Sequence, residues 1–326
     1  MNYIFLYLSL LFLTFLFTVA IIKMLVPKLS KIAKQPIYEE GPKWHIKKSG
    51  TPTMGGIGFI IPMCIAFIVS VIFLFDSSKN LDGISILITL GFSVLNALVG
   101  VVDDITKLKR AKNGGLTPKQ KLLLQFVISI LFLIARKVLL MDSSTIFLGR
   151  VSINLGWLYY PLAILFLLGM INCANLTDGI DGLAASVAFA IGVCSFLFSF
   201  HQNVSSWIVS ITLVGATLGF LLFNIHPAKI FMGDTGSLFL GAIISSLAFS
   251  MNSLPAYLLI GGIYVIEGIS VILQVVYFKK TKKRLFKMAP LHHHLEKSGF
   301  DESRICIYAM LFTFIMSLIA FPLIGN

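Results

Sequence analysis

Residues 3–26 read YIFLYLSLLFLTFLFTVAIIKMLV, an almost unbroken apolar run. A helix crosses roughly 30 Å of hydrocarbon at 1.5 Å per residue and so needs about 20 such residues, which makes this stretch long enough to span a bilayer. It lacks the basic start and the small-residue cleavage site of a secretory signal, and Lys28, Lys31 and Lys34 follow it. It therefore reads as a retained span with the N-terminus outside. Nine further apolar runs follow, near Met54 to Phe75, Ile84 to Val102, Leu122 to Leu140, Leu155 to Ile171, Leu183 to Phe200, Trp207 to Phe223, Leu238 to Phe249, Tyr257 to Phe278 and Ile305 to Ile324. Of the 326 residues, 57% are hydrophobic and 12% charged, outside the range of soluble domains. The expectation is a single all-α integral membrane domain over residues 1–326, with about ten transmembrane helices.

The placement of positive charge orients those helices. Alternate loops at 27–53, 103–121, 224–237 and 279–304 carry 6, 6, 1 and 8 Lys or Arg, and the one at 172–182 carries none. The opposite loops carry only Lys79, Arg136, Lys137 and Arg150. The positive-inside rule then makes the rich side cytoplasmic and puts both termini outside. The net charge of +12 follows from topology and anionic headgroups, so the lipid bilayer is the expected partner and nucleic acid is not. Cys64, Cys173, Cys194 and Cys306 lie in or beside apolar runs without CxxC spacing, as small packing residues do. The sequons at Asn175 and Asn203 fall on the inner side and in a very short outer loop, and neither is taken as a glycosylation site.

The chemistry lies in the cytoplasmic connections. Asp103, Asp104, Asp178, Asp181 and Asp234 each stand where an expected helix meets the cytoplasm, with Gly or Asn nearby. In Val99-Gly-Val-Val-Asp-Asp-Ile-Thr-Lys107, helical continuation places Asp103 and Lys107 one turn apart. In Asn172-Cys-Ala-Asn-Leu-Thr-Asp-Gly-Ile-Asp-Gly182, a three-residue polar step keeps Asn175, Asp178 and Asp181 on neighbouring faces. No Lys or Arg occurs between Arg150 and Lys229, so these acids call for a metal or a cation from another segment. The stretch Asn224-Ile-His-Pro-Ala-Lys-Ile-Phe-Met-Gly-Asp-Thr-Gly-Ser237 again sets an Asp between glycines before a span, where helix capping is the simpler role for Asp234 alone. Taken together, the three helix ends have the composition of a magnesium and phosphate site. Lys43, His45, Lys47, Lys48, Lys107, Lys112, Lys119 and Lys121 supply positive charge on the same side. His292, His293 and His294 form an unbroken triplet after Ala289-Pro-Leu, for which metal, phosphate and lipid-surface roles all stay open on spacing alone. Glu267 is the one acid deep in a span, near Gly261, Gly262 and Gly268, and an ionisable group there is a functional candidate by default.

These segments, from about Gly41 to Arg304 and in order, resemble the family of phospho-N-acetylmuramoyl-pentapeptide transferases. The acid pair, the NxxDxxD segment and a histidine motif are shared by the wider polyprenyl-phosphate sugar-1-phosphate transferases. Gly50-Thr-Pro-Thr-Met-Gly-Gly56 and the His-His-His after Ala-Pro-Leu resemble the muramoyl branch specifically. The resemblance implies transfer of phospho-MurNAc-pentapeptide from UDP-MurNAc-pentapeptide to undecaprenyl phosphate, giving lipid I and UMP, at the inner face of a bacterial cell membrane with Mg²⁺ as cofactor. It implies Mg²⁺ on Asp234 and Asp178, catalytic roles for Asp103, Asp104, Asp178, Asp234 and the three histidines, and Asp103 as the group that prepares the lipid phosphate. Lys107 and Lys121 would hold phosphate oxygens. Lys48, Thr53, Asn172, Asn175, Gly179, Asp181, Asn224 and Phe231 would bind substrate, most of them around the uridine. No ATP site is required, and no Gly-x4-Gly-Lys-Ser/Thr loop occurs. A homodimer is left open. A sister enzyme using UDP-GlcNAc is the nearest alternative. A cation-coupled transporter is the alternative from another class, though its ion sites would lie near the midplane.

Overall fold

The computed structural model describes residues 3–33, 48, 50–77, 79–110, 115–199 and 203–324. The chain is mostly helical: α1 (Tyr3–Ile32), α2 (Ile57–Asp76), α3 (Asn80–Arg110), α4 (Pro118–Ala135), α5 (Tyr159–Thr177), α6 (Leu183–Phe198), α7 (Val204–Asn224), α8 (Gly233–Ser250), α9 (Leu254–Ile260), α10 (Gly262–Thr281), α11 (Leu291–Glu296) and α12 (Glu302–Ala320). Each of the ten apolar runs contains a helix, and among the described residues eight helices are long and apolar enough to cross a membrane. The other two are α6, a short apolar helix, and α8, whose first turn is polar. Both are built largely of small residues and lie in the middle of the bundle, where neighbouring helices rather than lipid surround them.

The structure adds detail to the expected pattern in three places. The connection after α4 is not all-helical: a π-helical turn over Arg136–Leu140 leads into an antiparallel hairpin, β1 (Thr145–Leu148) with β2 (Val151–Asn154). Gly149 opens its two-residue turn with φ +62 and donates its N–H to Leu323 O at 2.9 Å. The ninth run is broken at Gly261 into α9 and α10, and a Cβ there would lie 2.5 Å from Met170 Cε. The eighth helix starts at Gly233 rather than Leu238, so Asp234 lies inside its first turn.

Helix α8 is the axis of the fold, packed chiefly against α3 and α5 and buried without interruption from Thr235 to Ser250. Close approach to its neighbours depends on glycine. A Cβ on Gly100 of α3 would lie 2.3 Å from Asp234 O, and one on Gly241 of α8 would lie 2.7 Å from Ile171 Cα. The same small-residue packing joins α1 to α7, where a Cβ on Gly215 would lie 2.5 Å from Leu11 O. Charge is placed at both ends of α8 to complement its dipole. Asp104 receives the N–H groups of Asp234 and Thr235 at the N-terminus. At the C-terminus the buried Arg136 donates to Phe249 O at 3.1 Å. The four cysteines are free, as expected. The Asn203 side chain is occupied as the N-cap of α7 and as a donor to Ser250 O, so it serves the fold.

Candidate active site

The sequence-predicted carboxylates converge at one end of the bundle. The continuation of α3 past its apolar run carries Asp103, Asp104 and Lys107, and Asp103 and Lys107 pair at 2.7 Å across one turn. Asp103 is 1% exposed, and its Oδ1 accepts the Leu116 N–H at 2.7 Å. Its Oδ2 also faces Lys121 Nζ of α4 at 3.4 Å. Asp234 shares both lysines: Oδ2 pairs with Lys121 and lies 3.1 Å from Lys107. Its Oδ1 accepts from Asn175 Nδ2 at 3.0 Å, and the same amide reaches Ser237 Oγ at 2.8 Å. Asp104 is turned to α8, where Oδ1 accepts Asp234 N–H at 3.1 Å and Oδ2 accepts Thr235 N–H at 2.9 Å and its hydroxyl at 2.7 Å.

Asp178 ends α5 beside this group. Burial pushes its carboxyl well above the usual carboxylate range, and the neighbouring charges of Asp234, Asp104 and Asp181 push it the same way, opposed by Lys107. The donor atoms of Asp103, Asp104 and Asp234 lie within 4.8 Å of one another. Asp178 stands beside that group at the end of α5. Three carboxylates therefore meet two ammonium groups, an excess of negative charge built of hard oxygen donors. Such a set fits a divalent cation such as Mg²⁺.

A second knot of charge lies on the other side of the NxxDxxD turn. Lys48 Nζ bridges Asp181 Oδ1 at 2.7 Å and Glu302 Oε2 at 2.6 Å. Glu302 also accepts the Asp181 N–H at 2.7 Å, while Asp181 Oδ2 meets His226 Nδ1 and the Ala228 N–H, both at 3.0 Å. An open cleft of about 490 Å³ adjoins this knot, lined by His226, Glu296, Lys297, Phe300, Asp301 and Glu302. Asn224 donates to Ile230 O at 2.9 Å and so closes the loop that presents the half-buried Phe231.

The other expected residues lie around these two groups. Thr53 is 6% exposed and sits with the Thr51–Gly56 segment under the loop before α8. There Phe231 N–H donates to Pro52 O and Gly55 N–H to Phe231 O, both at 2.8 Å. Asn172 Nδ2 donates to Gln125 Oε1 of α4 at 2.7 Å. The histidines diverge. His292 is fully buried, its Nε2 lying where a Cβ on Gly179 would be only 2.2 Å away. His293 pairs with Glu296 at 2.6 Å, and His294 Nδ1 accepts the Lys287 N–H at 3.1 Å. Lys43, His45, Lys47 and Lys112 lie outside the described residues.

Sequence reasoning missed Thr235, Ser237, His226 and Glu302. The last carried a faint signal, since Asp301 before it is the N-cap of α12, which puts Glu302 in the first turn of a span that begins beside the cluster.

Comparison with known proteins shows the family. The family model described as glycosyl transferase family 4 matches residues 85–252, just over half of the chain. A protein of Halalkalibacterium halodurans named phospho-N-acetylmuramoyl-pentapeptide-transferase is 44% identical over 302 residues, covering 91% of each chain. Proteins of the same name from Bacillus mycoides and Bacillus cereus (strain AH187) are each 42% identical over 296 residues, covering 90% of each chain.

Proposed function

On the premise that this chain belongs to the phospho-N-acetylmuramoyl-pentapeptide transferase family, we propose a division of labour among its site residues in making lipid I from UDP-MurNAc-pentapeptide. The observation that carries the proposal is the meeting of Asp103, Asp178 and Asp234 with Lys107 and Lys121 at three helix ends.

In the reaction an oxygen of undecaprenyl phosphate bonds to the sugar-bearing phosphorus as the anhydride bond to UMP breaks. One phosphoanhydride replaces another, so positioning and charge neutralisation are what the protein must supply. Asp103, held rigidly by Leu116 N–H and 1% exposed, takes any proton the lipid phosphate carries. Lys107 and Lys121, now shared between Asp103 and Asp234, turn to phosphate oxygens when substrate enters. Asp234, with its neighbours Asp103 and Asp104, would hold Mg²⁺, and Asp178 would join them on losing its proton. When bound, Mg²⁺ supplies Lewis-acid neutralisation of the diphosphate. Asp104 contributes chiefly by fixing the first turn of α8.

The nucleotide lies along the NxxDxxD turn. Phe231 offers uracil a stacking face, Asp181, Asn224 and Gly179 shape the pocket, and Lys48 meets the nucleotide from the far side. The basic loops and the apolar helices support a bacterial inner-membrane location with ten crossings, both termini outside and the site facing the cytoplasm. The test is transfer of radiolabel from UDP-MurNAc-pentapeptide into the organic phase by the purified protein. Label should move only when polyprenyl phosphate is added, with one UMP released per lipid product. UMP release without lipid acceptor would contradict direct attack by the lipid phosphate.

A further inference from the structure

His292 is the most enclosed member of the triplet, and its surroundings are asymmetric. Its backbone N–H is shared between Glu267 Oε1 at 3.1 Å and Oε2 at 3.3 Å. Its Nδ1 lies 3.1 Å from Glu267 Oε2, within ion-pair reach though off the line of a hydrogen bond. Glu267 itself is 5% exposed, on the first turns of α10 just past the break at Gly261. Among the described residues the opposite ring nitrogen, Nε2, has no hydrogen-bond partner, and it rests on Gly179, which follows Asp178 in the chain. A buried polar atom without a partner is costly, so an enclosed imidazole with one nitrogen facing a carboxylate and the other facing the substrate turn is built for a ligand.

We propose that Glu267 is a positioning residue that sets the tautomer of His292. A carboxylate oxygen 3.1 Å away carries negative charge and no hydrogen, so it favours an N–H rather than a bare lone pair at Nδ1. Nε2 is then left as a bare acceptor beside Gly179, where it receives a proton or hydroxyl hydrogen from the substrate. The break at Gly261 aims the start of α10 at the histidine helix, and the loop over 282–290 brings α11 back to meet it. What His292 faces rests on the transferase reading above, whereas the tautomer does not.

Glu267→Gln is the discriminating variant. Its amide oxygen can still accept the His292 backbone N–H, but its NH₂ group faces Nδ1 and drives the proton to Nε2, as in carboxylate-to-amide changes behind other imidazoles. The expected result is a turnover at least tenfold lower, with KM for UDP-MurNAc-pentapeptide within threefold of wild type and an unchanged thermal midpoint. Glu267→Asp should recover turnover above the Gln variant. In ¹⁵N-histidine NMR of the full-length protein, the His292 signal, assigned by its loss in His292→Gln, should report Nδ1–H in wild type and Nε2–H in Glu267→Gln. Wild-type turnover in Glu267→Gln, or the same tautomer in both proteins, would overturn the proposal. Should the Gln variant fail to fold, an Nε2–H signal from wild type alone would do so. The spectrum needs no substrate, so its outcome is independent of any failure of the transfer assay.

Discussion

Replacing Asp104 by alanine separates a role in holding the site from a role in chemistry. Asp104 accepts three hydrogen bonds, from Asp234 N–H, Thr235 N–H and the Thr235 hydroxyl, and is 4% exposed. Loss of a helix cap costs about 1 kcal/mol, and each hydrogen bond to a charged acceptor contributes about 1.5–3 kcal/mol. Water entering the space would recover part of this, so the expected destabilisation is about 2–5 kcal/mol. Asp104→Asn keeps one acceptor oxygen and should lose about half as much. Because Asp234 lies in the turn that Asp104 holds, a shift of about 1 Å there should lower turnover by about a hundredfold. Thermal unfolding of the detergent-purified variants, beside initial rates of lipid I formation, measures both effects. A purely catalytic Asp104 would lose turnover without losing stability. An Ala variant with the wild-type thermal midpoint would refute the capping role.

Three further outcomes are expected. Asp234→Asn should insert and fold normally yet lose turnover at limiting Mg²⁺, because a neutral amide binds the ion poorly; near wild-type rates under those conditions would remove Asp234 from the metal site. Phe231→Ala should weaken uridine nucleotide binding by about 1–3 kcal/mol in calorimetry while leaving lipid phosphate binding in place, and unchanged nucleotide affinity would rule out stacking. The carboxyl of Asp178 is raised above the usual range, so the folded state holds its proton more tightly than the unfolded chain. Stability in chelator must then fall as pH rises from the ordinary carboxylate value of about 3.9 through the raised one. Asp178→Asn should flatten that slope and stabilise the metal-free protein at neutral pH, and an unchanged profile would show that Asp178 carries no such strain.

Much of this was legible in the sequence because bilayer physics is blunt. A span must be long and apolar, so the ten runs stand out, and loop charge orients them. The Asp-bearing helix ends stand out for the same reason, since acids next to a membrane without nearby cations demand compensation. What escaped depended on tertiary placement. Thr145–Leu148 and Val151–Asn154 are short β-branched runs around Gly149, but between two spans they read as a loop. Lys48 looks free in sequence, and its partners Asp181 and Glu302 lie 133 and 254 residues away. The histidine triplet looks like one motif, yet a helical turn fans the rings to Glu267, Glu296 and Lys287 N–H. The Thr51–Gly56 segment, read as a mark of the sugar used, is packed beneath the Phe231 loop, so any effect on specificity must pass through the placement of that loop.

Whether this carboxylate and lysine cluster hands a muramoyl-pentapeptide phosphate to a lipid phosphate is tested by offering the purified protein UDP-MurNAc-pentapeptide and UDP-GlcNAc separately, each with polyprenyl phosphate and Mg²⁺, and following the labelled lipid product. Transfer should be efficient from the muramoyl donor, absent without Mg²⁺ or lipid, and slight or absent from UDP-GlcNAc. Preferential transfer from UDP-GlcNAc would contradict that role.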